Sequence, residues 1–461
     1  MFSGLSKAEM NRVNTFLQRN VLDELRTYRT DLPQEEIPTR WYNLLADMPR
    51  TFPSYREIET GKEVRSLPET YTRTASQLEF SEERWIPVPD DVLTAYVHCG
   101  RPTPLIRAHH LEKFLGTPAR IYYKCEDLPP TGTFKMNTAI PQAFWAMKEG
   151  YKRTIFAGSV RTRTKFAHAF AAKLFSLKPT IFMTRADCAQ NSDQVFLLRS
   201  MFEADLYESP TTRTEIGRKL LREDPNDRGS RAITQREVVE ETKQSEDGVT
   251  VSSSFLNHVL MTQTVIGLEV KKQLDLIGEE PNVLVASVGA GSHLFGLIAP
   301  FVEDVVKKRL EVRFLGAESE TSSKLTDGTY DYAPPGQTAE GAMDDLLVKT
   351  YRLSWETLPV PIKAVGIQTQ TTAPLLSLLR HMGLVDTRVY PRDEKAIFEA
   401  ARIFLQTEGR LLAPESAYAV RAIIDEALEA KKTGREAAMV VSVSGTSFLD
   451  FEEKKGYGSP A

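Results

Sequence analysis

The sequence predicts an α/β protein with two lobes that contain mostly parallel sheets and enclose a cleft. The first reason is length, because 461 residues exceed the size at which a single hydrophobic core keeps growing. The second is pattern, because apolar strand-like runs alternate with amphipathic helical runs from Ile121 onward. The third is composition, since 41% hydrophobic and 26% charged residues are typical of an ordinary globular protein.

The individual elements follow one another as expected for successive βα units. The predicted strands cover residues 120–124, 154–156, 180–183, 283–288, 312–317 and 441–445. One predicted helix begins near Asn137, two more cover 165–177 and 256–276, and another follows residue 293. The polar stretch 222–248 is predicted to be a mobile surface connection.

The chain divides into an N-terminal extension and two lobes. Residues 1–90 are rich in proline and charge, and apart from a helix predicted at 7–25 they lack the alternating pattern. We interpret them as an extension packed on the core. Residues 134–250 form the smaller predicted lobe, and residues 91–133 together with 251–461 form the larger one.

Charge and composition restrict the classes of partner. The 58 basic and 62 acidic residues leave a net charge of -4, which gives no electrostatic footprint for nucleic acid or an anionic membrane. No window approaches the roughly 20 apolar residues of a membrane span, and the N-terminus lacks a secretory signal pattern. The three cysteines are too few for a disulfide framework, and no metal-binding pattern is present. We expect a cytoplasmic protein with small-molecule partners.

A glycine-rich turn follows the predicted strand 283–288 and precedes a helix. It consists of Gly289, Ala290, Gly291, Ser292 and His293. Strand, turn and helix in this order offer free backbone amides and a positive dipole end to a phosphate. A dinucleotide site is the rival interpretation, with Glu318 as the ribose-binding acid. The rival is weakened because Leu294 replaces the third glycine of that motif, and a purely structural turn also fits.

Two further side chains are candidates for chemistry. Lys135 lies between Phe134 and Met136 just before a predicted helix, and an amine beside apolar neighbours is a better Schiff-base nucleophile. The alternative is an ordinary surface lysine. Ser444 ends the last predicted strand, where its hydroxyl could reach the rim of the sheet, although a Ser-Gly pair is often only a turn.

Segments along almost the entire chain resemble the type-2 branch of the tryptophan synthase beta chain, a family of fold type II pyridoxal-5′-phosphate enzymes. The matching segments, in family order, are RWYNLLAD (40–47), ERWI (83–86), GRPTPL (100–105), ARIYYK (119–124), FLNHVL (255–260), QTVIGLE (263–269) and APESA (413–417). So many matches in the same order make chance implausible. The resemblance implies the fold type II architecture and pyridoxal 5′-phosphate as cofactor.

The resemblance also implies roles for single residues. The family's cofactor lysine lies in a Thr-Gly-Ser-His-Lys-x-Asn-Thr-Ala stretch, which TGTFKMNTA (131–139) matches with Lys135 as the lysine and Asn137 beside it. The family's Gly-Gly-Gly-Ser-Asn phosphate loop corresponds to residues 289–293 of the larger lobe. Ser444 falls where the family places a serine against the pyridine nitrogen, and Glu318 matches a glutamate near the ring. A neutral hydroxyl at that nitrogen favours β-elimination and β-replacement.

The substrate loop departs from the family pattern. The family reads Glu-Thr-Gly-Ala-Gly-Gln, whose glutamate manages protons and whose other groups hold the substrate carboxylate, whereas AGSVRTRT (157–164) stands here. Alanine at 157 cannot transfer protons. The expected substrate-binding residues are Ser159, Arg161, Thr162, Arg163 and Thr164. Guanidinium groups suit carboxylate or phosphate, so the two arginines indicate a substrate with an extra anionic group if they face the cofactor. The alternative is that they point to solvent.

The primary hypothesis is a pyridoxal-phosphate enzyme that removes the α-proton of an amino acid and then eliminates or replaces a β-substituent. Lys135 would be both Schiff-base partner and proton shuttle, in a specialised pathway rather than in ordinary tryptophan synthesis. Two alternatives stay open: tryptophan synthase activity on serine and indole, and a catalytically silent pyridoxal-phosphate-binding partner protein. The family also implies a homodimer.

Overall fold

The computed structural model describes residues 28–48, 50–159, 163–334, 346–354 and 360–446. The strands are β1 (Arg29–Thr30), β2 (Arg40–Tyr42), β3 (Tyr55–Glu57), β4 (Glu63–Val64), β5 (Trp85–Pro87), β6 (Leu105–Arg107), β7 (Arg120–Cys125), β8 (Arg153–Ala157), β9 (Lys178–Thr184), β10 (Asp205–Ser209), β11 (Gly248–Thr250), β12 (Val283–Ser287), β13 (Arg313–Ser319), β14 (Thr329–Ala333), β15 (Leu346–Arg352), β16 (Val385–Tyr390) and β17 (Ala438–Val443). The helices are α1 (Arg73–Glu79), α2 (Asp90–His98), α3 (His109–Leu115), α4 (Met136–Lys148), α5 (Thr164–Leu174), α6 (Arg185–Gln190), α7 (Ser192–Ser200), α8 (Glu215–Glu223), α9 (Arg231–Gln244), α10 (Asn257–Gln263), α11 (Val265–Ile277), α12 (Ser292–Val306), α13 (Lys324–Asp327), α14 (Pro374–His381), α15 (Lys395–Glu408) and α16 (Pro414–Thr433).

Two parallel sheets dominate the described residues. The larger has seven strands in the order β1-β6-β7-β17-β12-β13-β16, in which β7 to β16 run parallel and β1 and β6 add antiparallel pairs. The smaller has four parallel strands in the order β10-β9-β8-β11. Buried β-branched and aliphatic runs such as that of β12 explain the parallel pairing, because both faces of such strands are covered by helices. The predicted α/β class with mostly parallel sheets is confirmed.

The predicted helix at 256–276 is two helices rather than one. α10 ends at Gln263 and α11 begins at Val265, with Thr264 between them. The Thr264 hydroxyl donates to the carbonyl of Met261 at 2.6 Å and accepts the backbone N–H of Tyr42 at 3.0 Å. Contacts of a threonine hydroxyl with the local backbone compete with the helical pattern, which explains a break that periodicity alone does not reveal.

The stretch 222–248 is not a simple connection, because the helix α9 covers about half of it; its mobility stays a prediction. The Ser230 hydroxyl caps its N-terminus by accepting the amide of Ile233 at 3.3 Å. Its acidic side chains are paired rather than solvated: Glu241 bonds to Arg213 at 2.6 Å, and Glu237 accepts the hydroxyl of Thr214 at 2.6 Å. Because polar residues on the buried face of α9 pair with other side chains, the sequence of this helix does not show the apolar pattern that usually marks a buried face.

The described residues between 28 and 90 contribute strands to the sheets. β1 pairs with β6 at the edge of the seven-stranded sheet, β2 pairs with β5, and β3 joins a separate antiparallel sheet with β4, β14 and β15. The helix predicted at 7–25 lies outside the described residues, and the lobe boundaries stay a prediction. None of the described helices has the length and apolarity needed to cross a membrane.

Candidate active site

A cavity lies where the two parallel sheets face each other. Residues after β8 of the smaller sheet line it, as do residues after β12 and β17 of the larger sheet. Ligands of open α/β sheets bind outside the carboxyl ends of the strands, and this cavity has that position. Its atom-free space is about 1090 Å³, counted with its open mouth, which is ample for a cofactor with a small substrate.

Lys135 reaches this cavity from the position directly before α4. Its Nζ donates to the carbonyl of Ser253 at 2.7 Å and lies 3.3 Å from the Ser292 hydroxyl. The ring of Phe134 lies 4.6 Å from the same nitrogen. The amine is therefore held at the end of the glycine-rich turn, beside the first residue of α12, and is not an ordinary surface lysine.

The glycine-rich turn has the geometry of an anion cradle. Gly291 has a φ of +101°, which only glycine adopts readily, and a Cβ there would lie 2.4 Å from Leu376. A Cβ on Gly289 would lie 2.5 Å from the carbonyl of Gly366. Gly291 is also the N-cap of the 15-residue helix α12, so the amides of its first turn are available to a ligand.

His293 lies in the first turn of α12 and stacks on Phe134, with 4.4 Å between the ring centroids. Its Nε2 pairs with the Ser442 hydroxyl at 2.8 Å, while its buried Nδ1 has no hydrogen-bond partner among the described residues. Burial, aided by the charge of Lys135, lowers the pKa of His293 to about 4, so the ring is neutral at physiological pH. In the tautomer in which Ser442 donates to Nε2, Nδ1 carries the ring proton and is a hydrogen-bond donor.

Ser444 follows β17 and lines the same cavity. Its hydroxyl lies 2.8 Å from that of Ser416, which also accepts the amide of Gly445 at 3.1 Å. Ser416 belongs to α16, the helix that begins within the APESA segment. The Ser444 hydroxyl is thus held in place by a neutral partner.

The substrate loop forms the opposite wall. Ala157, Ser159, Arg163 and Thr164 all line the cavity, whereas Arg161 and Thr162 lie outside the described residues. Arg163 is only 9% exposed, and a Cβ built on Gly445 would lie 3.2 Å from its Nη1. Its guanidinium therefore extends across the cavity toward the end of β17 instead of pointing to solvent.

Two predicted residues are not brought to the cavity lining. Asn137 accepts Nε of Arg101 at 2.8 Å and donates to Glu126 at 3.0 Å, so it anchors the first turn of α4 from behind. The fully buried carboxylate of Glu318 accepts the amide of Leu325 at 3.1 Å, and Lys324 lies 3.6 Å away. Glu318 is not among the described residues that line the cavity, and its role near the cofactor ring stays a prediction.

Asn137 belongs to a buried ionic network behind Lys135. Arg101 pairs with Glu126 at 2.6 Å and with Glu269 at 2.7 Å, and Lys124 pairs with Glu269 at 2.6 Å. Burial alone would raise the pKa of Glu126, but the charges of Arg101 and Lys124 lower it to about 2. The network ties β7 and α11 to the helix that carries Lys135.

Sequence reasoning missed several residues of the lining, among them Ser253, Arg231, Gln235 and Glu415. Arg231 and Gln235 lie on α9, which the polar composition had suggested to be a loop. Glu415 lies in the APESA segment, and its Oε1 accepts the amide of Gly366 at 2.7 Å. The resemblance of this segment to the family is the sequence signal that points to Glu415.

Comparison with known proteins agrees with this geometry. The family model described as "Pyridoxal-phosphate dependent enzyme" matches residues 98–445. The chain belongs to this family. It is 40% identical to the tryptophan synthase beta chain 2 of Methanothermobacter thermautotrophicus, over 93% of this chain and 97% of the relative. It is 42% identical to the tryptophan synthase beta chain of Pyrococcus horikoshii, over 92% and 91%.

Solved structures show the same fold at lower identity. The threonine deaminase isoform 2 of Solanum lycopersicum superposes with a TM-score of 0.57 at 18% identity, covering 80% of this chain and 90% of that one. An L-serine ammonia-lyase of the fungus Rhizomucor miehei gives a TM-score of 0.55 at 17% identity, covering 77% and 96%. This chain is thus a fold type II, tryptophan synthase beta-like enzyme that depends on pyridoxal phosphate.

The residues of the cavity fit that cofactor. A phosphate requires amide donors and a further neutral donor, which α12 and the unpartnered Nδ1 of His293 offer within the described residues. A carbonyl carbon requires an amine, and Lys135 Nζ lies 3.3 Å from Ser292 in the first turn of α12. A ring nitrogen requires one polar partner, and the Ser444 hydroxyl is available at the cavity surface.

Proposed function

We propose that this chain eliminates or replaces a β-substituent of an amino acid in a specialised pathway, and that ordinary tryptophan synthesis is not its reaction. The observation that carries this proposal is the wall formed by the substrate loop. Ala157 lines the cavity where the family has its proton-managing glutamate, and the buried Arg163 lines the same wall. General acid/base groups contribute about 10²- to 10⁴-fold, so their loss selects against the standard reaction.

Different residues of the chain have different roles in the proposed reaction. When bound, pyridoxal phosphate supplies an electron sink that makes the α-proton of an amino acid labile. Lys135 Nζ, as a free amine, takes that proton and can return it. The Ser444 hydroxyl, fixed by Ser416, offers a neutral partner to the ring nitrogen. His293 and the amides of α12 hold the phosphate and thereby orient the reacting atoms.

The substrate proposed for this site has an extra anionic group. Arg163 is buried in the lining, and a guanidinium there is suited to bidentate capture of a carboxylate or a phosphate. Thr164 begins α5, so amides at the N-terminus of this 11-residue helix add a favourable dipole. Arg161 and Thr162 belong to the same proposed set by sequence. A homodimer, as the family implies, and a cytoplasmic location, as expected from the sequence, are part of the proposal.

The test is the visible absorption of purified protein with pyridoxal phosphate, followed during titration with serine, O-phosphoserine and aspartate. We expect an absorption band that shifts with one of these amino acids, together with little or no tryptophan from serine and indole. Efficient tryptophan formation would favour the standard synthase instead. A cofactor band that no amino acid perturbs would favour a silent cofactor-binding protein.

A further inference from the structure

A buried lysine lies behind the glycine-rich turn and is not among the described residues of the cavity lining. Lys324 is the first residue of α13, and its side chain is 0% exposed. Its Nζ donates to the carbonyls of Val288 and Ser322, both at 3.1 Å, and lies 3.6 Å from the carboxylate of Glu318. Three oxygen atoms around one nitrogen match the three donors of an ammonium group and favour its charged form. So deeply buried a charge is costly, and the reaction proposed above does not use it.

The carbonyl of Val288 links this lysine to the turn. Val288 lies between β12 and Gly289, the first residue of the glycine-rich turn. In a planar trans peptide, the carbonyl and the following N–H point in opposite directions. Because Gly289 lines the cavity and Lys324 does not, the bond from Lys324 turns the Gly289 amide toward the cavity. Within the described residues that amide has no backbone acceptor, so it is available to a ligand.

A second peptide of the turn has the same arrangement. The carbonyl of Ala290 accepts the amide of Ala373 at 2.7 Å, so the N–H of Gly291 points the opposite way. Ala373 is the N-cap residue of α14 and, like Lys324, is not among the described lining residues. Two donors behind the turn, one of them charged, therefore fix the directions of two amides of the anion cradle.

We infer that Lys324, held by Glu318, is a positioning residue for the phosphate of the cofactor. The carboxylate of Glu318 is itself fixed, because it accepts the amide of Leu325 at 3.1 Å and the hydroxyl of Thr326 at 2.9 Å. The ammonium orients the peptide before Gly289 and adds a positive charge behind the turn, and both effects favour a bound anion. This role goes beyond the proposed function, because it concerns cofactor affinity and not the substrate or the reaction.

The experiment compares the dissociation constants of pyridoxal phosphate and pyridoxal, which differ only in the phosphate. Cofactor-free protein is titrated with each compound, and binding is followed by absorbance. The ratio of the constant for pyridoxal to that for pyridoxal phosphate measures what the phosphate contributes. We expect Lys324→Met to lower this ratio about tenfold or more, because a misdirected amide no longer donates to the phosphate. The affinity for pyridoxal should change less than about twofold, since pyridoxal makes no use of that amide.

Two further variants separate positioning from folding. Lys431→Met is the matched control, because Lys431 also donates to a carbonyl, that of Leu115 at 2.8 Å, and is not among the described lining residues. Lys324→Met alone leaves the carboxylate of Glu318 buried and unpaired, which destabilises the chain. The double variant Lys324→Met/Glu318→Gln contains no unpaired charge at this place. We expect it to be more stable than the single variant toward denaturant and still to show the lowered ratio.

The double variant decides the outcome. A wild-type ratio in it would overturn the inference, whether both compounds bind normally or both bind equally less well, because Lys324 would then be dispensable or would only support the fold. A double variant that does not fold would assign the pair to the core of the protein and would also overturn the inference. A lowered ratio with retained pyridoxal binding supports the positioning role, whichever amino acid the enzyme accepts.

Discussion

The two walls of the cavity differ in how closely their residues follow the family pattern. On the wall from the seven-stranded sheet, which we call the glycine-loop wall (residues 289–293 and 444), His293 pairs with Ser442 and Ser444 pairs with Ser416. On the wall from the four-stranded sheet, the α5–α9 wall (157–159, 163, 164, 231 and 235), alanine replaces an acid and Gln235 lacks a partner among the described residues. The first wall retains the family's cofactor chemistry. The second departs from the family pattern at Ala157, and the proposed change of substrate rests on this difference.

This contrast explains why cofactor and reaction differ in predictability. Cofactor binding depends on backbone amides, a lysine and a few hydrogen-bonded side chains, all of which the family pattern specifies. Substrate choice depends on side chains that project from a different sheet and can be replaced without disturbing the first wall. The predictions below test this separation.

The largest effect on activity is expected at Lys135, because this lysine is proposed to act on both the cofactor and the substrate. Lys135→Ala removes the amine that binds the cofactor and moves the α-proton, so turnover of any amino acid should fall by at least about 10³-fold. The absorption band of the lysine-bound cofactor should also vanish. Lys152→Ala is the control, because Lys152 is exposed and outside the lining. Retention of the band in Lys135→Ala would assign the cofactor to another amine.

The next effect concerns the buried network behind the glycine-loop wall. Arg101→Met leaves the carboxylates of Glu126 and Glu269 without their guanidinium partner, which should lower the free energy of unfolding by about 3–5 kcal/mol. Denaturant unfolding of the cofactor-free protein measures it. Arg65→Met is the control, since its pair with Glu63 is exposed and should cost less than about 1 kcal/mol. Equal midpoints for the two variants would contradict the role of the network.

The same network gives a pH dependence. The folded-state pKa of Glu126 is about 2, below its ordinary value of 4.5. A depressed carboxyl pKa stabilises the protein above the ordinary value, and this contribution is lost as the pH falls from about 4.5 to about 2. Unfolding followed across this window should show a steeper loss for the wild type than for Arg101→Met.

The residues of the site also differ in how well they could be predicted from the sequence. Lys135, the glycine-rich turn and Ser444 were predictable because each lies at the end of a clear strand or the start of a clear helix. α9 was not, since its buried residues include Thr234, Gln235 and Glu237, and its apolar periodicity is weak. The role of Glu318 stays a prediction, because a glutamate at the end of a predicted strand gives no sign of the side to which it points. Only the packed structure shows Glu415 as a carboxylate of the lining.

A smaller effect is expected for His293 on the glycine-loop wall. His293→Leu removes the Nδ1 donor that has no partner among the described residues, so cofactor affinity should fall about 10- to 100-fold while the fold is retained. Titration of the cofactor-free protein with pyridoxal phosphate, followed by absorbance, gives the dissociation constant. His110→Leu on the exposed start of α3 is the matched control. Unchanged affinity in His293→Leu would mean that Nδ1 does not face the phosphate.

The smallest effect on stability is expected for Gln235. A comparison with a second buried glutamine, Gln142, gives the sharpest test of the contrast between the walls. Gln142 donates to the carbonyl of Ser252 at 2.7 Å and accepts its amide at 2.7 Å, so Gln142→Leu should cost about 2–4 kcal/mol of unfolding free energy in the cofactor-free protein. Gln235→Leu breaks no hydrogen bond within the described residues and should change that free energy by less than about 0.5 kcal/mol. Equal losses would mean that Gln235 is structural. A neutral Gln235→Leu that nevertheless loses anion binding would show that this amide is retained for the ligand, because nothing in the stability of the chain requires it.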